Sequence, residues 1–181
     1  MISNFLTIDG GVHKCAVGEW NRARLSAVYF QAGPLADAPS RQAFRLEFDR
    51  VIVERPIIRG NATPDPQTIV DLAWESAALA FSYGIPVEAV TPHQWKGEIP
   101  KPVHHNRVLL APVRAPGLDP GEEAILERAL PGWKAQIRKA LGKCIKSPGK
   151  RGAEYYGTWE GHNLIDAVCL GIWVRSGGIP S

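Results

Sequence analysis

The sequence predicts an α/β (α+β) domain with helices around a mixed sheet, and three observations support this. Extended, apolar segments crowd the first third of the chain, helical stripes fill most of the remainder, and the short run RVIVE has the composition of a strand covered on both faces. With 181 residues and 45% hydrophobic content, the chain can bury a sizeable core as one domain spanning 1–181. It has no internal repeat and no linker long enough to divide it.

The elements follow in order. Residues 4–9 and 13–19 read as strands around the Gly10–Gly11 turn. A third strand is expected at about 25–32, where Leu25, Val28, Tyr29 and Phe30 favour extended backbone. Residues 50–54 form the central strand. Pro64 and Asp65 open a helix to about residue 83, marked by the stripe Ile69, Leu72, Ala73, Ser76, Leu79 and Ala80 and stopped by Gly84. A strand at 86–90 is followed by a loop rich in proline, glycine and histidine, and then by a helix over about 104–110. A further helix over about 121–142 is broken or kinked near Pro131 and Gly132, and the last begins near Gly161 and ends before Gly177 and Gly178.

Composition narrows the functional classes. Cys15, Cys144 and Cys169 are an odd, scattered set that makes neither a disulfide framework nor a zinc cluster, so a reduced, cytoplasmic setting is expected. No apolar run approaches the roughly 20 residues of a membrane span, and MISNFLTID leads into a strand rather than reading as a signal peptide. Net charge is only +3, but its distribution is uneven. From Gly132 to Ala153 the cations Lys134, Arg138, Lys139, Lys143, Lys146, Lys150 and Arg151 are opposed by no acid. Such a field attracts a polyanion, with nucleic acid the natural candidate and a merely solvated face the alternative.

Three acids carry the chemistry. Asp9 closes FLTID, Glu54 closes VIVE, and Asp166 lies inside LIDAVCLGIW. A charge inside an apolar element must find a partner or lose its proton, and three acids meeting at one spot are best tolerated around bound metal. Two of them also have a plainer reading: Asp9 as a hairpin-turn residue, and Glu54 as the salt-bridge partner of Arg50 or Arg55. On the last helix His162 and Asp166 are four apart and Asn163 and Asp166 three apart, so their polar groups share a face. Asn163 as a cap and His162 as an exposed residue are the alternatives there.

Such a set suits metal-dependent phosphoryl transfer. Paired divalent ions about 3.5–4 Å apart activate a water and neutralise charge on the transferring oxygens. Asp9 would bridge, with Glu54 on one side and Asp166 plus His162 or Asn163 on the other. Oxygen-rich coordination favours Mg2+, and a histidine ligand would make Mn2+ effective in its place. The glycines after Asp9 do not form a GxxxxGK[ST] nucleotide loop. Tyr155, Tyr156 and Trp159 either pack under the last helix, the preferred reading, or stack on a base.

IDGG after the first strand, VIVERP, VTPHQWKGEIPK and HNLIDAVCLGIW, in that order over about residues 3–175, resemble the RuvC-type Holliday junction resolvases, especially the short phage and prophage forms. The resemblance implies a ribonuclease H-like fold. It also implies a homodimer that nicks four-way DNA junctions with Mg2+ or Mn2+, with Asp9, Glu54 and Asp166 matching the family's three acids. An RNase H-like nuclease acting on flaps or RNA–DNA hybrids, and a non-catalytic nucleic-acid-binding protein of the same fold, are the other expectations. The family places an acid or a histidine three residues before the last acid; this chain has Asn163 there and His162 one position earlier, and His162 is the favoured fourth ligand. Lys96 matches the family lysine after the fifth strand, beside the metal centre, with Trp95 anchoring the loop and Lys96 pointing outward. Lys101, His104 and Arg107, with His105 nearby, join Lys143, Lys146, Lys150 and Arg151 as expected DNA contacts.

Overall fold

A computed structural model of the chain describes residues 4–9, 14–32, 48–54, 86–112, 117–149 and 152–178. Its strands are β1 (Phe5–Asp9), β2 (Lys14–Asn21), β3 (Arg24–Ala32), β4 (Arg50–Glu54) and β5 (Val87–Val90). They form one sheet in the order β3-β2-β1-β4-β5. β2 is antiparallel to both β1 and β3, whereas β4 is parallel to β1 and to β5. A mixed sheet accompanied by helices is the α/β (α+β) class expected. The expected Gly10–Gly11 turn and the helix at 64–83 lie outside the described residues.

The helices are α1 (Pro92–Lys96), α2 (Lys101–His105), α3 (Pro120–Ala129), α4 (Trp133–Lys146) and α5 (Gly161–Arg175). α2 runs directly into a π-helical turn, Asn106–Leu110, and a 3-10 turn covers Gly152–Tyr155. One expectation needs correction. The segment after β5 is not a plain loop: Pro92 and Pro102 sit in the first turns of α1 and α2, where a missing N–H costs no helical hydrogen bond. The helix expected over 121–142 is broken where expected, near Pro131 and Gly132, into α3 and α4: Gly132, at φ 75°, caps the start of α4 in the left-handed region.

Strand alternation sorts the core onto two faces. Phe5, Ile52 and Val90 pack with α5 residues Leu164, Ile165, Ala167 and Val168 on one face. Leu6, Ile8, Val17, Val51 and Val53 pack together on the other. Each fully buried side chain of this size contributes about 1.5–3 kcal/mol. α5 is apolar nearly all round and is accordingly buried along most of its length. Among the described residues, no helix is long and apolar enough to cross a membrane.

α5 is fixed along its axis by polar contacts at two points. Midway, the buried Thr7 hydroxyl donates to the Ala167 carbonyl at 2.8 Å and accepts from Trp20 Nε1 at 3.0 Å. At its C-terminal end, Arg175 Nη1 donates to buried Glu122 at 2.8 Å, and Glu122 also accepts the Leu25 N–H of β3 at 2.9 Å. The close approach at the midpoint requires Gly171, where an added Cβ would lie 2.0 Å from the Trp20 ring. Gly171→Ala is therefore expected to lower stability by roughly 1–3 kcal/mol, the cost of overpacking a filled core. Denaturant midpoints equal to wild type would show that α5 can shift freely on the sheet.

Candidate active site

The strand register brings two of the acids together. Asp9 and Glu54 are the last residues of β1 and β4 and are direct partners across the parallel pair. Alternation places Asp9 on the face of Phe5 and Thr7, and Glu54 on that of Ile52, which is the face α5 covers. The Thr7–Ala167 bond then sets Asp166 beside them. Asp166 is 1% exposed, and its charge acts on the carboxyls of both Asp9 and Glu54. The three predicted acids thus share one site.

Glu54 is held by α1. The capping arrangement at its start, with Gln94 Oε1 accepting from the Thr91 N–H at 2.7 Å and hydroxyl at 2.9 Å, turns the chain straight from β5 into this short helix. Trp95 is buried as expected, and its Nε1 donates to Glu54 Oε2 at 2.8 Å. Lys96 is not directed outward. Its Nζ lies 3.3 Å from both Glu54 oxygens and 4.0 Å from Asp166 Oδ1. Arg50, the alternative partner for Glu54, instead pairs with Glu88 at 3.4 Å.

Asp166 is gripped by α2. Lys101 and His105 are four residues apart and so share a face of that helix. Lys101 Nζ makes an ion pair with Asp166 Oδ2, and His105 Nε2 lies 2.8 Å from Oδ1. His105 is fully buried, and its Nδ1 meets the Tyr156 hydroxyl at 2.6 Å. The Lys101 ammonium also donates to His162 Nδ1 at 3.0 Å. His162 and Asp166 therefore share a partner, as their spacing suggested, but that partner is a lysine.

Electrostatics separates the three acids. Burial pushes the Asp9 carboxyl well above the usual range, and the neighbouring Glu54 and Asp166 push it further. Glu54 is raised by burial and by Asp166, against the pull of Lys96. Burial acts to raise Asp166 too, but Lys101, then His105 and Lys96, hold it well below the ordinary value. Lys101 in turn is raised, because its acid neighbours outweigh its desolvation. Among the described residues Asp9 makes no ion pair. It is the acid whose charge is least compensated.

The other predicted residues divide by exposure. His104 is corrected as a surface contact: it is buried edge-on against Trp95, and burial, followed by the neighbouring His105, lowers its pKa to about 3, leaving it neutral. His162 is likewise neutral, lowered to about 4 by burial and by Lys101. Asn163, partly buried, hydrogen-bonds with His162. Arg107, Lys143 and Lys146 are exposed, as DNA contacts require, while Lys150 and Arg151 lie outside the described residues. Tyr155 and Tyr156 are packed against Ala140 and Cys144 of α4, which settles them as packing residues.

The donor chemistry fits a hard divalent cation. Three carboxylates converge, and the positive charge they demand is supplied by the two ammonium groups between them. Among the described residues, the acids do not close into a ready cluster of ligands. Two residues escaped the sequence reading: Trp95 as a donor to Glu54, and His105 as the partner of Asp166. The four-residue step from Lys101 to His105 was the available signal.

No family model matches the chain, and no curated protein matches it. Solved structures overlap it at low identity, three of them as follows. RuvC of Thermus thermophilus in complex with a Holliday junction substrate is 14% identical over 97% of each chain, with a TM-score of 0.43. The Fowlpox virus resolvase in complex with its substrate Holliday junction DNA is 11% identical over 98% of this chain and 99% of that one, with a TM-score of 0.44. YeaZ from Pseudomonas aeruginosa is 18% identical over 49% and 44%, with a TM-score of 0.32.

Proposed function

We propose that this chain is a metal-dependent endonuclease of one nuclease domain that hydrolyses phosphodiesters in branched DNA, resolving four-way junctions by paired nicks. The observation that carries the reading is the meeting of Asp9 and Glu54, neighbours in register on two parallel strands, with buried Asp166 of α5. Asp9, Glu54 and Asp166 would hold Mg2+, or Mn2+ in its place, with His162 favoured over Asn163 as a further ligand. When bound, such an ion lowers the pKa of its water and offsets charge on the phosphoryl oxygens.

The chain's own residues do the rest. Trp95 and Lys96 orient Glu54, and Lys101 and His105 orient Asp166, so the carboxylates are held in place before DNA arrives. Lys96 and Lys101 are then the cations nearest the scissile phosphate and available to it once metal compensates the acids. α4 supplies the wider binding surface. Its inner face, Trp133, Ile137, Ala140 and Cys144, is buried, while Arg138, Lys139, Lys143 and Lys146 are exposed on the other side. With Arg107 they form a basic surface suited to the phosphates of a branched duplex. Two symmetric nicks need two sites, and a homodimer in the cytoplasm supplies them on a two-fold junction.

Cleavage assays on four-way junctions, flaps, RNA–DNA hybrids and linear duplexes of equal length test the reading. Junctions should be cut in Mg2+ or Mn2+ and left intact in EDTA. Preference for flaps or hybrids would reassign the substrate, and binding without cleavage in any metal would make the protein a non-catalytic DNA binder.

A further inference from the structure

Asp166 is an acid on a helix, yet its orientation is set from elsewhere. Its carboxylate is acceptor-only, so the His105 nitrogen 2.8 Å away, Nε2, must carry a hydrogen and donate it. His105 is 0% exposed, with the Asp166 carboxylate at one ring nitrogen and the Tyr156 hydroxyl at the other. A neutral ring with hydrogen on Nε2 has a bare Nδ1, which accepts the Tyr156 hydroxyl at 2.6 Å. One tautomer satisfies all three groups. Tyr156 itself is fixed, packed with Tyr155, Ala140 and Cys144 and tilted against Trp159 at 5.4 Å between ring centres.

We propose that His105, held in a single tautomer by Tyr156, is a positioning residue that aims Asp166 into the metal site. The inference rests on the metal-site reading given above and deepens it. Asp166 sits at the end of a relay that begins in the layer beneath α4: Tyr156 donates to His105, and His105 donates to Asp166. A carboxylate free to rotate loses part of its binding energy in being ordered on the ion, and this relay orders it in advance. Lys101 cannot replace His105 in that role, because it holds the other oxygen, Oδ2, and is shared with His162.

Two readouts on folded, DNA-free protein test the proposal. In metal-free protein labelled with 15N-histidine, His105 should show a protonated Nε2 and a bare Nδ1. Tyr156→Phe should move the Nδ1 resonance, and Asp166→Asn the Nε2–H proton. Calorimetric Mn2+ affinity should fall about 10–100-fold in His105→Ala, the usual loss when a ligand's supporting partner is removed. It should recover largely in His105→Gln, whose amide offers both a donor and an acceptor. If His105→Ala does not fold, the Gln and Phe variants carry the comparison. Hydrogen on Nδ1 in the wild type, or folded His105→Ala or Tyr156→Phe with wild-type Mn2+ affinity, would overturn the proposal. A wild type that shows the tautomer and its Tyr156 dependence but binds no Mn2+ upholds the link to Asp166 and overturns the metal reading instead.

Discussion

Asp9→Asn, Glu54→Gln and Asp166→Asn should each slow junction cleavage by at least about 100-fold, the scale seen when one preorganised charge-stabilising group is removed from an active site. Junction binding should persist in all three, because the exposed cations of α4 are untouched. Stability should distinguish the variants. Asp9 is partly buried beside two like charges and has no ion-pair partner among the described residues, so Asp9→Asn relieves repulsion and should raise the melting temperature of metal-free protein. Asp166→Asn does the reverse. It leaves the largely buried Lys101 ammonium without its main counterion, and breaking a buried pair in this way costs about 3–5 kcal/mol. An inactive variant that is more stable than wild type is the mark of a site that trades stability for function. Wild-type turnover by folded variants would remove these acids from the chemistry.

Binding should depend on the basic surface. Neutralising Lys143, Lys146, Lys150 and Arg151 should weaken junction affinity and flatten its dependence on salt, by about 0.9 in the log–log slope for every duplex phosphate that is no longer neutralised. The change approaches roughly 3–4 if all four residues touch phosphates. Turnover on saturating DNA should be nearly unchanged. Lys134 provides an internal control. It belongs to the same run but is tied to Glu123 at 2.5 Å, so Lys134→Gln should alter the slope much less. A slope unchanged by the fourfold substitution would exclude this segment from the interface.

The acids were legible because each obeys a local rule. Asp9 and Glu54 end apolar strands, where period-two alternation fixes their face, and Asp166 interrupts an otherwise apolar helix. The order of the strands in the sheet, by contrast, was not legible from any local pattern. What surrounds the acids was harder to read, since it depends on the direction a side chain takes in three dimensions. Lys96 and Lys101 look like solvent-facing cations in a loop, yet both turn inward because buried Asp166 and the partly buried Glu54 need counter-charge. His104 and His105 look alike in sequence. The first is a neutral core ring against Trp95 and the second a donor to Asp166, a difference made by the rotation of α2. The prolines misled for a simpler reason, since at a first helical turn they open helices rather than end them.

A crystal structure of the protein soaked with Mn2+, located by its anomalous signal, tests the central claim most directly. The account predicts an ion bound by Asp9, Glu54 and Asp166, with Lys96 and Lys101 displaced from the acids, and it would show whether His162 or Asn163 joins them. An ion-free site at saturating Mn2+, with Lys101 still on Asp166 and Lys96 still on Glu54, would contradict it.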